Sequence, residues 1–398
     1  MRPRDGGGEL ALNAIPPSAE VVIIGGGVIG TSCAFHLAEA GVGDVVLIER
    51  DSLGSGSTCK AVGGVRSSFT NRANIEIGLR SLEAYSQFGE RPGQDIDLQR
   101  VGYLYLISQA EDVAAFESGV ALQNALGVKS RMIEPSEAKR LSPLIDAGGL
   151  LAAAWSPQDG TASPESVVLG YATGARRHGA VLRTGVTVTG IDVDAGEVTA
   201  VRTAAGTIRT STVVCAAGAW SAQIGAMAGV DLPVTPYRRQ VVFTEPMPDL
   251  PEHPPMTIDF PSTFYFHGEG RGLVLGFSDP DEQPGFNLAY ETEDWLPRLF
   301  ALVERRAPSI LDAGLTTGWA GLYEITPDHN QIIGEDGEVS RFLYATGFSG
   351  HGFLMGPAVG EIIRDLYLGR SPFLDISGFD VRRFSDPATA VAREHNIV

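Results

Sequence analysis

Gly25, Gly27 and Gly30 stand in the spacing G-x-G-x-x-G, whose bare backbone permits a tight turn and lets a pyrophosphate approach the amides of a helix start. Val28 and Ile29 fill the variable positions there. About twenty residues on, Glu49 and Arg50 end a second apolar run, where a carboxylate can accept hydrogen bonds from a ribose. Together these residues indicate an adenine dinucleotide and leave FAD and NAD open. Two further segments favour FAD. Ser57, Thr58, Cys59 and Lys60, followed by Gly63, Gly64, Val65 and Arg66, are mostly small and would let a loop lie against a flat ring. Gly347, Phe348, Ser349, Gly350, His351, Gly352 and Phe353 precede the last predicted helix, whose start can stabilise negative charge on a reduced isoalloxazine. A dehydrogenase using NAD would not require that segment.

Elements able to carry these groups are visible in the hydrophobic pattern. Val21, Val22, Ile23 and Ile24 form a buried strand running directly into the glycine turn. Apolar spacing predicts a helix over 28–40 with Gly41 as its stop, and a second strand over 45–48, a β-α-β unit. Helices are expected over 72–88 and 111–126, with a strand over 101–107 between them. Ser163 can cap and Pro164 can open a helix over 164–179. Strands over 186–193, 197–203 and 206–208 read as a meander, and one over 211–215 ends at Ala216, Ala217 and Gly218. Strand-like stretches recur from 233 to 276, including 239–244, 263–267 and 273–277. A strand over 342–345 precedes a final helix with Gly356 and Pro357 at its start and Gly369 past its end.

Composition bounds the function. A chain of 398 residues is too long for one core and implies two or three domains. Lys and Arg number 30 against 48 Asp and Glu, a net charge of −18, so neither nucleic acid nor an anionic membrane is an expected partner. Three cysteines make no disulfide framework, and no metal site is expected. Residues 1–19, with Gly6, Gly7, Gly8, Pro16 and Pro17, read as a flexible leader without a signal-peptide core. No apolar run reaches membrane-span length, so the expected location is cytoplasmic.

Five segments in one order, GGGVIG at 25–30, GGVRSSF at 63–69, CAAGAWS at 215–221, GLYEITPD at 321–328 and GFSGHGF at 347–353, resemble the D-amino-acid-oxidase superfamily of flavoproteins. The similar branch is that of sarcosine oxidase, dimethylglycine dehydrogenase and the β subunits of proline and sarcosine oxidoreductases, over residues 19–384. The resemblance implies an α/β fold. A Rossmann-type, glutathione-reductase-like FAD-binding domain (20–100, 160–230 and 321–398) would hold an inserted substrate-binding domain on a mixed or antiparallel sheet (101–159 and 231–320). It also implies that Val188 contacts the adenine side through its backbone, and that Gly218 and Trp220 line the FAD cavity together with Gly321, Tyr323, Gly347, Ser349, Gly350, Gly352 and Phe353. Trp220 reads equally well as core.

Departures from the family pattern shape the remaining expectations. Lys60 stands where several relatives attach the flavin through a histidine, and Gly321 where others use a cysteine, so FAD should be non-covalent. Cys59 reads as a buried thiol. Arg66 matches the arginine that holds the substrate carboxylate, for which a guanidinium fork is suited, whereas a lysine that some relatives carry after GHGF is Leu354 here. Tyr265 and His267 lie on one predicted strand, and Tyr265 is favoured to face the flavin. His351 would either bond the cofactor or cap the last helix. Val274 replaces the lysine that promotes oxygen reduction in related sarcosine oxidases, which implies a dehydrogenase or slow oxidase. The function expected is FAD-dependent oxidation of an N-alkyl or cyclic amino acid at the C–H beside nitrogen, with hydride passing to flavin N5 and the imine then hydrolysed. Alternatives are the catalytic β subunit of a hetero-oligomeric proline-, sarcosine- or opine-type dehydrogenase, with an electron-accepting partner subunit, and an NAD-dependent dehydrogenase.

Overall fold

The computed structural model describes residues 15–385 and 391–396; the expected leader lies outside them up to residue 14. Strand Val21–Ile24 is apolar at every position because it is covered on both faces, as interior strands of parallel sheets are. It pairs in parallel with Val213–Cys215 on one side and Val45–Ile48 on the other. Phe342–Thr346 and Val181–Arg183 extend the parallel sheet, and antiparallel Ile332–Glu335 forms one edge. Helix Val28–Glu39 packs against this sheet between helices Pro164–Arg177 and Gly352–Tyr367. It is therefore buried nearly all round, which explains its lack of a polar face. The expected meander is present as Val188–Asp194, Glu197–Thr203 and Gly206–Arg209.

A second sheet of eight strands runs Leu315–Ile325, Thr235–Thr244, Gly272–Phe277, Phe264–Glu269, Met256–Asp259, Tyr103–Ile107, Ala152–Ser156 and Arg131–Ile133. All its pairs are antiparallel except Met256–Asp259 with Tyr103–Ile107. Alternation along the strands sorts its two faces. Leu104, Leu106, Phe264, Phe266, Leu273 and Leu275 turn to one side and pack with Trp295, Leu299 and Val303. Those three lie on helix Trp295–Arg306, which the sequence reading did not identify although its apolar residues recur every fourth position. Tyr103, Tyr105, Tyr265 and Val274 turn to the other side. Leu315–Ile325 carries residue 321 in its interior, so this strand belongs to the second sheet and still reaches the flank of the first.

The final helix requires a correction. It begins at Gly352, and Pro357 lies inside it rather than in its first turn. An interior proline has no N–H for the carbonyl one turn back, here that of Phe353. Tyr85, from the neighbouring helix Arg72–Ser86, donates its hydroxyl to Phe353 O at 2.6 Å, which supplies the missing partner. Tyr85→Phe should lower stability by about 1–3 kcal/mol, the cost of a buried acceptor left unpaired. The loss should shrink in a Pro357→Ala background, where the helix N–H is restored. Urea unfolding of the four proteins measures this, and an equal loss in both backgrounds would rule out the carbonyl as the reason for the hydroxyl.

Candidate active site

One long cavity runs from the glycine turn of the first sheet to the tyrosine-bearing face of the second. At its first end Gly25 adopts φ +114°, and a Cβ there would fall 2.2 Å from the Ala216 carbonyl oxygen. Gly30, one turn into the helix, has no room for a side chain either, since its Cβ would lie 1.9 Å from Gly25 O. Gly27 is the helix N-cap and offers the first turn no side-chain acceptor, while Thr58 Oγ1 accepts from Val28 N at 3.1 Å. Glu49 braces the turn: its carboxylate accepts from Gly26 N and from Asp51 N, each at 2.7 Å. Such a cradle of bare backbone at a helix start fits a pyrophosphate.

Most of the residues singled out from the sequence line this cavity. Gly25, Gly27, Val28, Ile29, Glu49 and Arg50 do so at the turn, and Val188, Gly218 and Trp220 along the adjoining wall. Trp220 is a wall residue rather than core, lying between the Arg50 guanidinium at 4.6 Å and the Phe286 ring at 5.5 Å. Ser57, Thr58, Lys60, Gly64 and Arg66 line the middle with Gly321, Tyr323, Tyr265, Gly350, His351, Gly352 and Phe353. Gly30, Gly63, Val65, Gly347 and Ser349 lie behind this lining. Gly63 and Gly347 form turns at φ +75° and +71°, Val65 is core, and Ser349 Oγ accepts from Thr326 N at 3.2 Å.

Lys60 and Gly321, far apart in sequence, face each other: a Cβ on Gly321 would lie 2.8 Å from Lys60 Cβ. Trp319 Nε1 donates to Lys60 O at 3.0 Å, and the lysine ammonium sits 5.8 Å from the Trp319 ring centre. Cys59 does not line the cavity, and burial pushes its thiol up to about 11, so no thiolate is poised there. Burial also raises the phenols of Tyr103, Tyr265 and Tyr323, keeping them protonated as donors. His267 shares a sheet face with Tyr265, as residues two apart on a strand must. It does not reach the cavity, and its Nδ1 lies 2.8 Å from Gly268 O. Val274 is buried opposite His267 and also misses the cavity lining; the lysine on the wall is Lys60.

Arg66 is more committed than its sequence context suggests. Its Nη1 donates to Ser68 O at 2.8 Å, its Nη2 donates to Asn396 O, and its plane lies 4.0 Å from the Phe69 ring centre. Nη2 also sits 3.1 Å from His351 Nε2. Burial first, and the Arg66 charge second, hold His351 well below its ordinary value. The imidazole is therefore neutral, accepting from Arg66 at Nε2 and carrying its proton on Nδ1, which has no hydrogen-bond partner among the described residues. His351 is also the N-cap residue of the final helix, although its side chain makes no capping bond.

Sequence reasoning missed three participants. Segment 391–396 lies beside Arg66, anchored by the Glu394 carboxylate, which accepts from Thr70 Oγ1 at 2.8 Å and from Asn74 Nδ2 at 3.0 Å. Arg239, on strand Thr235–Thr244, lines the cavity near Tyr323. Glu324, inside the GLYEITPD segment, lines it beside Gly218. Only the position of Glu324 within a recognisable segment offered a signal.

The sequence pattern described as DAO, FAD dependent oxidoreductase, matches residues 20–366. Dimethylglycine dehydrogenase of Rattus norvegicus is 31% identical over 92% of this chain and 45% of its own length. Sarcosine dehydrogenase of Mus musculus is 28% identical over 94% of this chain and 42% of its own length. The chain thus spans less than half the length of these curated relatives. Among solved structures, L-proline dehydrogenase from P. horikoshii superposes with a TM-score of 0.87 at 34% identity, covering 93% of this chain and 99% of that one. Glycine oxidase from Geobacillus kaustophilus gives 0.82 at 25% identity, covering 92% and 99%.

Glu324 carries a pH prediction. Its carboxylate accepts from Thr346 Oγ1 at 3.2 Å and Phe348 N at 3.3 Å, but burial outweighs these bonds and pushes it up from 4.5 to about 7. A carboxyl with a raised folded-state value contributes its full stability below about pH 4.5 and loses it as pH rises through about 7. Glu324→Gln cannot titrate, so its unfolding free energy relative to the unaltered protein, read from urea unfolding, should climb between pH 5 and 8 toward a difference on the order of 3 kcal/mol. A difference that stays flat across that range would mean the carboxyl does not titrate there.

Proposed function

The chain belongs to the DAO family of FAD-dependent oxidoreductases, and we propose that it oxidises an N-alkyl or cyclic amino acid at the C–H bond beside nitrogen. FAD, the cofactor of this family, replaces the NAD alternative. The observation that carries the reading is the continuity of one cavity. Its glycine cradle suits a dinucleotide, and its far end gathers protonated phenols, guanidinium groups and a neutral imidazole around space for a small polar molecule. The names of the relatives, dimethylglycine, sarcosine and L-proline dehydrogenases, support an amine-bearing amino acid as the substrate class.

Bound in this cavity, FAD supplies the two-electron acceptor for a hydride leaving the carbon beside nitrogen. The chain supplies position, dryness and charge. Val241, Met256 and Leu354 line the cavity with apolar surface, which excludes water from the reacting carbon. The start of helix Gly352–Tyr367 directs its positive end to the cavity lining at Gly352 and Phe353, where it offsets negative charge. Only an amine with a free lone pair can release hydride. Lys60, Arg66 and Arg239 all line the site, and their positive charge lowers the proton affinity of an entering ammonium, favouring the reactive neutral form without a dedicated base. The imine product takes up water and separates into a carbonyl compound and the shortened amine, or opens to one chain if cyclic.

Anaerobic addition of N-methyl and cyclic amino acids should bleach the flavin absorbance. A panel of carboxylated secondary and tertiary amines that leaves it unbleached would overturn the proposed reaction. With Lys60 and Gly321 at the positions of attachment, acid precipitation should release all flavin into the supernatant, and yellow colour kept in the pellet would contradict non-covalent binding. We further propose an electron acceptor other than oxygen. Stopped-flow mixing of reduced protein with aerated buffer should show slow reoxidation, whereas rapid reoxidation lost in Lys60→Met would reverse this and assign oxygen activation to that ammonium.

A further inference from the structure

We propose that Arg239, rather than Arg66, grips the carboxylate of the substrate, with Tyr265 and Tyr323 as flanking donors; this rests on the amino-acid-oxidising reading above. Arg239 pairs in register with Gly321 on the adjacent strand, so no neighbouring side chain at 321 covers it. Its guanidinium lies 5.2 Å from the Tyr323 ring centre, and its Nη1 donates to Arg238 O at 2.8 Å. Its Nε is buried without a hydrogen-bond partner among the described residues. The two carboxylates whose charge acts on it are Glu282 and Asp279, and both are engaged elsewhere. Glu282 holds Arg238 at 2.9 Å and Asp279 holds Arg298 at 2.7 Å. A largely desolvated cation on a cavity wall, with donors open and no paired carboxylate among the described residues, is a site for an anion brought by the ligand.

Arg66 presents the opposite case. Two backbone carbonyls and the His351 ring already occupy its fork, and Phe69 covers one face. Three of its five N–H donors are thus committed within the chain, against one at Arg239. Arg66 is accordingly a positioning residue, fixing the His351 tautomer at the start of the last helix. Both guanidinium charges act on the Tyr323 phenol, and that of Arg239 acts on Tyr265 as well. A carboxylate accepts up to about four hydrogen bonds, enough for the open edge of Arg239 and both hydroxyls.

The test is a titration of the purified flavoprotein with short alkyl carboxylates, from acetate to cyclopentanecarboxylate, and with their uncharged amides, followed by the flavin difference spectrum without turnover. The unaltered protein should prefer each carboxylate to its amide. Arg239→Met should reduce that preference at least tenfold, Arg239→Lys should retain part of it, and the loss at Arg239 should exceed that in Arg66→Met at least tenfold. Flavin content and melting temperature show that each variant is folded. A preference that survives in both Arg239 variants, a larger loss at Arg66, or no carboxylate response in the unaltered protein would overturn the proposal. Failure of every amine to bleach the flavin, with carboxylate binding still dependent on Arg239, would instead overturn the oxidation reading alone.

Discussion

No side-chain carbon fits between Gly30 and the carbonyl oxygen of Gly25, where the ideal distance is only 1.9 Å. That contact sets the angle at which strand Val21–Ile24 hands over to helix Val28–Glu39, and the rest of the first sheet follows from it. The strand has Val45–Ile48 on one side and Val213–Cys215 on the other, and the chain runs outward to Val181–Arg183 on the first side before it crosses back to Val213–Cys215 on the second. A crevice opens past the carboxyl ends of the strands at such a reversal, which is where open α/β sheets bind ligands. The cavity begins at this crevice, over the glycine turn.

The second sheet supplies the opposite wall through simple alternation. Phe264 and Phe266 turn away from the cavity into the core under helix Trp295–Arg306, and Tyr265 between them turns inward. A slip of one residue in register would bury the phenol and expose two benzyl groups to the cofactor space. The same packing that stabilises the outer face thus fixes which hydroxyls face the cavity. Strand Leu315–Ile325 joins the two walls, with Trp319 bonded to the backbone of Lys60 and Leu322 O accepting from Ser57 Oγ at 2.7 Å.

What was legible in the sequence was local. The glycine turn, the β-α-β unit and the meander are each written within a few tens of residues, and the structure reproduces them. The start of the last helix was misplaced because proline preference was read without knowing that Tyr85, from another helix, could satisfy the carbonyl freed by Pro357. Arg66 was recognisable in type and neighbourhood, but its partner Asn396 lies 330 residues away, and no spacing rule connects them. Arg239 sat unremarked in a strand run of Arg238, Arg239 and Gln240. The two are adjacent on one strand and so turn to opposite faces: Arg238 meets the Glu282 carboxylate, and Arg239 lines the cavity.

That difference gains meaning from the charge of the whole chain. At −18 the protein repels free anions at a distance, while its cavity wall carries Lys60, Arg66 and Arg239. A simple ammonium ion would be drawn to the surface and then opposed by the wall; a simple carboxylate would meet the reverse. A zwitterionic amino acid escapes both penalties, since it crosses the outer field without net charge and meets the wall with its carboxylate forward. On the amino-acid reading proposed above, once the carboxylate is paired the remaining positive charge on the wall would act on the ammonium and favour release of its proton. The cationic lining would thereby select for the carboxylate and prepare the nitrogen for oxidation.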